Sequence, residues 1–169
     1  EPPDTGNPTG TTTGDSDPPP NLVVNGKDPW TSRVFEVSGV MPGDSGGTTI
    51  KVQNTGDPGI VQLQILNLSD DPGTTFESEP TPDMGELSQN LDMLIWFDDG
   101  NNIYETGETI IAQDTLNNIA GNTYDLGTLS DTQTIYIGIY WSVDQSVGNE
   151  IQGDRSTFDI EFAIEPVGG

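Results

Sequence analysis

Apolar side chains in this chain recur with a period of two, the spacing of strands that bury one face, far more often than with the 3.6 spacing of helices. The clearest case is Thr132 to Val143, where Ile135, Ile137, Ile139 and Trp141 share one face and Tyr136, Gly138 and Tyr140 the other. Ile60 to Leu68 places Val61, Leu63 and Ile65 together, with Gln62 and Gln64 opposite. Ser156 to Ile164 does the same with Phe158, Ile160, Phe162 and Ile164 against Asp159 and Glu161. Shorter strands are predicted at Leu22–Val24, closed by the turn dipeptide Asn25-Gly26, at Arg33–Val40, at Thr48–Gln53 and at Thr109–Ala112. The dense run Asp92–Phe97, DMLIWF, predicts a central strand buried on both faces. Two short helical stretches are predicted. Glu86–Leu91 forms one turn, and Asp114–Ile119 is capped by Asp114 with Leu116 and Ile119 facing inward.

These elements add up to about eight strands joined by turns, without the regular strand–helix alternation of an α/β fold. The predicted fold is all-β, an antiparallel jelly-roll-like β-sandwich with one or two short helices, spanning residues 21–169. Residues 1–20 carry six prolines and no large apolar side chain, and they predict an extended N-terminal arm. Residues 69–83 read as a long polar surface loop.

Composition narrows the chemistry. The chain has 28 acidic and four basic residues, a net charge of −24, and neither cysteine nor histidine. Disulfides, thiolate nucleophiles, Cys/His zinc sites and histidine bases are therefore absent. Four cations cannot neutralise many phosphates, and an anionic membrane surface repels such a chain, so neither nucleic acid nor membrane is an expected partner. In concentrated salt the Debye length falls to about 3 Å and the mutual repulsion of the carboxylates fades, which fits a protein of saline surroundings. An extracellular protein kept soluble by its charge is the alternative. The chain begins at Glu1 rather than Met, and the expectation is a mature secreted protein.

Three segments in order resemble the TasA/camelysin family of secreted, fibre-forming proteins, especially its archaeal members. VFEVSGVMPGDSGGTTIKVQNTG (34–56) is similar to that family's first core hairpin, GELSQNLDMLIWFDDGNNIYETGE (85–108) to its central segment, and YIGIYWSVDQSVGNEIQGDRSTFDIEFAIEP (136–166) to its closing hairpin. Family members usually open with a short apolar-polar strand, where this chain has its Pro/Gly-rich start. The resemblance implies a jelly roll and a non-enzymatic structural role in an extracellular filament. Identical subunits would be joined by donor-strand complementation, in which one subunit's N-terminal segment completes the next subunit's sheet. The partner is then the chain itself, as a homopolymer. Leu22, Val23 and Val24 are the only apolar cluster within residues 1–26 and are the expected donor. The alternative for these three is an ordinary edge strand in their own subunit.

The acidic loop Asp98–Glu108 is the ligand candidate. Asp98, Asp99, Asn101, Glu105 and Glu108 supply the closely spaced oxygens that calcium takes, although Gly100 is out of place for a regular calcium loop. A solvated turn is the alternative, and no cofactor is required by the fold. Asn67-Leu68-Ser69 is an N-glycosylation sequon at a predicted strand end. Catalysis is not expected. The carboxylate pairs Asp70/Asp71 and Glu77/Glu79 sit in a polar loop, and Asp44-Ser45-Gly46-Gly47 reads as a turn with no base to activate Ser45. Lys51 points outward and is a poor isopeptide donor. Trp30, Trp96, Trp141, Tyr136 and Tyr140 supply aromatic surface for a sugar platform, with Trp96 and Trp141 assigned to the core. A monomeric calcium- or carbohydrate-binding surface module is thus the second functional reading.

Overall fold

The computed structural model describes residues 18–28, 33–73 and 85–168, with backbone alone for Arg33 and Val34. Most of the N-terminal arm, Trp30, Glu77 and Glu79 therefore lie outside the described residues. Among these residues there are nine strands: β1 Leu22–Val24, β2 Arg33–Ser38, β3 Ser45–Asn54, β4 Gly59–Asp71, β5 Leu91–Asp98, β6 Ile110–Thr115, β7 Thr123–Leu129, β8 Thr134–Val143 and β9 Arg155–Pro166. Two single-turn helices, α1 Leu87–Asn90 and α2 Leu116–Ile119, and a 3₁₀ turn at Asn149–Ile151 complete the secondary structure. The sheets are antiparallel, one ordered β2-β9-β4-β7 and the other β1-β3-β8-β5-β6. The all-β sandwich expected from the sequence is what forms.

Alternation decides the core. Val61, Leu63 and Ile65 of β4 and Phe158 and Ile160 of β9 meet Ile50 and Val52 of β3, Met93 and Ile95 of β5, and Ile137 and Ile139 of β8. All are buried, and full burial of such side chains stabilises the fold by about 1.5–3 kcal/mol each. The Asn25-Gly26 turn has positive φ at both residues (50° and 75°) and closes β1 with Val24–Lys27 backbone bonds in both directions, as a type I′ turn does.

Several expectations need correction. Ser45, Gly46 and Gly47 are strand residues of β3, not a turn. They read as a turn because of their glycines, but here glycine permits close approach: a Cβ on Gly46 would lie 2.8 Å from the Trp141 ring. Strand β7 was not expected. Its buried residues Leu126 and Leu129 are three apart because Leu126 is bulged between Asp125 and Gly127, which pair with Gln62 and Val61, and this hides the period of two. Finally, α2 begins at Leu116 with Thr115 as its N-cap, so Asp114 precedes the helix. The Asp114 carboxylate accepts from Thr115 N and Asn118 Nδ2.

The two flanks of the sandwich differ. On one side the terminal strands β6 and β7 are joined through α2, and α1 packs on α2 with Leu87, Leu116 and Ile119 buried. On the other side the sheets end in β2 and in β3 with its short neighbour β1.

Candidate functional site

Strand β3 has ten residues, but β1 pairs with only its last three: Leu22 with Asn54, Val23 with Gln53 and Val24 with Val52. Asn25 adds one more step, its N–H donating to Lys51 O and its Oδ1 accepting from Lys51 N. Because backbone groups alternate sides in an antiparallel ladder, the N–H and C=O of Ser45, Gly47 and Thr49 face the same edge as those of Lys51. Among the described residues no strand pairs with that edge from Ser45 to Ile50. Strand β2, the end of the facing sheet, likewise pairs only with β9.

Between these two edges lies a cleft of about 410 Å³ that reaches the core. Phe35 and Val37 line it from β2, Thr48 and Ile50 from β3, and Ile139 and Trp141 from β8. Met93 and Phe158 form its depth, Phe158 stacking on Phe35 at 5.5 Å between ring centres. Thr48 belongs to the inward face of β3 and is nonetheless exposed, and Trp141 is only half-buried. The arrangement offers unpaired backbone along one lip and apolar side chains beneath it, which is what an added β-strand takes.

The expected donor residues lie on this same flank. Leu22–Val24 are paired with their own chain's β3, so the alternative reading of an intrachain edge strand describes this monomer. Their seat depends on a buried asparagine that the sequence reading passed over. Asn54, 0 % exposed, accepts from Asn21 N (3.1 Å) and Gly56 N (3.0 Å) through Oδ1 and donates through Nδ2 to Asp57 O (2.7 Å) and Leu129 O (3.0 Å). Thr55 N donates to Asn21 O and Asp57 N to Pro18 O, so residues 18–24 lie along the 52–57 segment chiefly through backbone bonds.

The acidic loop folds over the outer face of the second sheet. Trp96, 1 % exposed, is buried there and not among the inter-sheet core. Tyr104 covers it edge-on at 5.9 Å, and its Nε1 donates to Asp98 Oδ1 (3.2 Å). Asp98 Oδ2 accepts from Gly100 N, Asn102 N and Thr49 Oγ1. Carboxylate oxygens of Asp98, Asp99 and Glu108 come within 4.8 Å of one another, and this group could hold a metal ion. Glu105 does not join it; its Oε2 accepts from Asn101 Nδ2 (2.8 Å), and Asn101 Oδ1 accepts from Ile103 N. Backbone N–H groups already engage the trio, Asp99 N and Glu105 N on Glu108 and Asn101 N on Asp99.

Asn67 lies within β4, not at its end. It sits at a bulge opposite Thr157–Asp159 with φ 55°, is exposed, and donates Nδ2 to Asp159 Oδ2 (2.8 Å). Ser69, Asp70 and Asp71, expected in a surface loop, complete β4, where they pair with β9, and Asp70 accepts from Ser156 Oγ and from both N and Oγ of Ser88. Among the described residues no helix is long and apolar enough to cross a membrane.

Comparison of the chain with protein-family models and with curated proteins returned no match.

Proposed function

We propose that the chain is a secreted, non-enzymatic subunit of an extracellular filament, in which a strand from one copy completes the open flank of the next. The observation that carries this reading is the edge of β3 from Ser45 to Ile50, which has no partner strand among the described residues and lies above an apolar cleft. The TasA/camelysin resemblance points the same way. The donor lies within residues 1–26 and includes Leu22, Val23 and Val24. Exchange of β1 between copies reproduces in trans the short ladder seen here in cis, and opening of the Asn25-Gly26 turn lets the exchanged strand run on opposite Lys51 and Ile50 into the unpaired edge. The contact is heterologous and does not close, so it propagates.

The test uses the absence of cysteine. Val23 and Gln53 are direct partners, so the pair Val23→Cys with Gln53→Cys forms one unique disulfide. Purified protein is brought to high salt, imaged by electron microscopy, oxidised and run on a denaturing gel. Filaments that dissolve into a covalent ladder support the reading. Filaments that dissolve only into cross-linked monomers remove Leu22–Val24 as the donor, and the absence of filaments removes the structural role itself.

A second reading, a calcium-binding surface module, is favoured by the convergence of Asp98, Asp99 and Glu108. Trp96 reports on it, because its indole donates to Asp98. Calcium, but not magnesium, is expected to change Trp96 emission, with Asp98→Asn abolishing the response. A flat calorimetric titration with calcium removes this reading. A glycan on Asn67 is compatible with either role, and peptide mass spectrometry of the native protein detects it.

A further inference from the structure

The outer face of the second sheet presents a regular grid across four strands. In one row Gln113 of β6, Leu94 of β5, Tyr140 of β8 and Gly47 of β3 are successive partners. In the next, Thr115, Asp92, Ser142 and Ser45 follow in the same order. Next to these rows, on the same face, the acidic loop rises over Trp96. Beside it lies a depression of about 360 Å³ lined by Asp92, Leu94, Gln113, Asp114, Tyr140 and Ser142. This is at the small end of the range for small-molecule sites, about 300–1,000 Å³. Tyr140 is 41 % exposed, and its neighbour on the β3 side is a glycine without a side chain to cover the ring.

The lining selects its ligand by chemistry. On this face it holds the Asp92 carboxylate, the Gln113 amide and the Ser142 and Tyr140 hydroxyls, and no cation, while Asp114, the partner of inward-facing Met93, sits at its edge with its carboxylate on Thr115 N and Asn118 Nδ2. Anions are repelled, and a purely apolar ligand would strip water from Asp92 and Gln113 without replacing it. A ligand carrying many O–H donors and one apolar ring face meets every group present. An organic ammonium would fit the carboxylates, but cages for such cations use several aromatic rings, and here Leu94 stands where a second would be needed. We infer that this face binds the pyranose ring of a neutral saccharide, its C–H face on Tyr140 and its hydroxyls on Asp92, Gln113 and Ser142. The site adjoins the open edge at Gly47 but lies on the opposite face of the sheet from the cleft, and it does not depend on filament formation.

The test is amide NMR of the full chain in high salt, titrated with methyl β-glucoside, methyl β-galactoside, methyl α-mannoside and, in parallel, tetramethylammonium chloride. At least one glycoside is expected to shift amides around Leu94, Gln113, Tyr140 and Ser142 saturably. Tyr140→Phe keeps the ring and should bind within about threefold of the parent, whereas Tyr140→Ala should bind at least about tenfold more weakly. Unchanged spectra elsewhere show that each variant is folded. The inference is overturned if no glycoside shifts these amides, if Tyr140→Ala binds as well as the parent, or if tetramethylammonium alone binds.

Discussion

Replacing Asn54 by alanine tests whether one side chain holds the β1 segment, the turn after β3 and the β7–β8 connection together. The amide makes four bonds, using both lone pairs of Oδ1 and both protons of Nδ2. Alanine leaves two N–H groups, of Asn21 and Gly56, and two carbonyls, of Asp57 and Leu129, without this partner. The bonds to Gly56 and Leu129 are buried, while those to Asn21 and Asp57 are partly buried, where water can reach. At about 1–3 kcal/mol for each buried group and about 0.5 for each accessible one, the loss is about 5 kcal/mol. For a chain of this length that lowers Tm by roughly 10–20 °C.

Asn54→Asp separates hydrogen bonding from packing. Its volume is the same, and one oxygen still accepts from Asn21 and Gly56. The other faces two carbonyls that the amide had been donating to. Burial and those carbonyls raise the folded-state pKa of the new carboxyl above its unfolded value near 3.9. Stability relative to the parent is therefore greatest below about pH 4 and is lost as pH rises through the raised value, by up to about 1.4 kcal/mol per unit. The assay is calorimetric unfolding at about 1 M salt, where the screening length is about 3 Å and surface repulsion does not obscure the result. A Tm drop of less than about 3 °C for Asn54→Ala, or a pH-independent penalty for Asn54→Asp, refutes the reasoning.

Other outcomes follow from the same geometry. Raising salt from about 0.1 M to about 1 M shortens the screening length from about 10 to about 3 Å, so Tm should climb steeply in calorimetry; a flat profile contradicts a fold opposed by its own −24 charge. At high salt the pH profile should fall below about pH 4. Asp71 is held low by the Gly73 N–H and Arg155, Asp114 by Asn118 and Thr115, and Asp144 by Ser146, so the unfolded chain binds more protons there. All three are exposed, so the slope is modest, and circular dichroism melts from pH 6 to 2.5 read it. Gly138→Ala puts a methyl group into the Trp96 ring, which should cost about 1–3 kcal/mol and shift Trp96 emission, while leaving the inter-sheet core spectrum intact.

The sheets were legible where a strand buries one face without interruption. In β4, β8 and β9 the inward residues fall at alternate positions over six or more residues, and the sequence needs nothing else. Legibility failed at irregularities. The bulge at Leu126 removed the alternation that would have revealed β7, and the glycines at 46 and 47 have the composition of a turn although their backbone is extended against Trp141 and Ile139. Trp96 looked like core because it is large and lies in an apolar strand, yet it points out of the sandwich and is buried by a loop that sequence alone does not fold. The candidate sites divide in the same way. Spacing was enough to bring Asp98, Asp99 and Glu108 into view, but not to show that Asn101 and Glu105 pair with each other. Nothing in the pattern marks Phe35, Met93 or Trp141 as lining a cleft, because residues beneath an open edge have the same alternation as residues beneath a closed one.

That open edge also differs from the others in its side chains. Proteins blunt exposed strands with charge, with short length or with a covering element. Here β6 ends its sheet with Asp114, β7 carries Asp125, and both are bridged by α2. Strand β2 carries Arg33 and Glu36. The unpaired run of β3, Ser45-Gly46-Gly47-Thr48-Thr49-Ile50, has no charge and no proline. Its two glycines let another backbone approach. An acidic surface keeps subunits apart at low ionic strength without obstructing this edge, and concentrated salt removes the repulsion while leaving backbone pairing and apolar burial in force. The combination supports an assembly that salt promotes. Filament length should then rise with ionic strength, and the charge introduced by Thr48→Lys, at an exposed position in the middle of the edge, should shorten filaments without lowering Tm by more than about 3 °C.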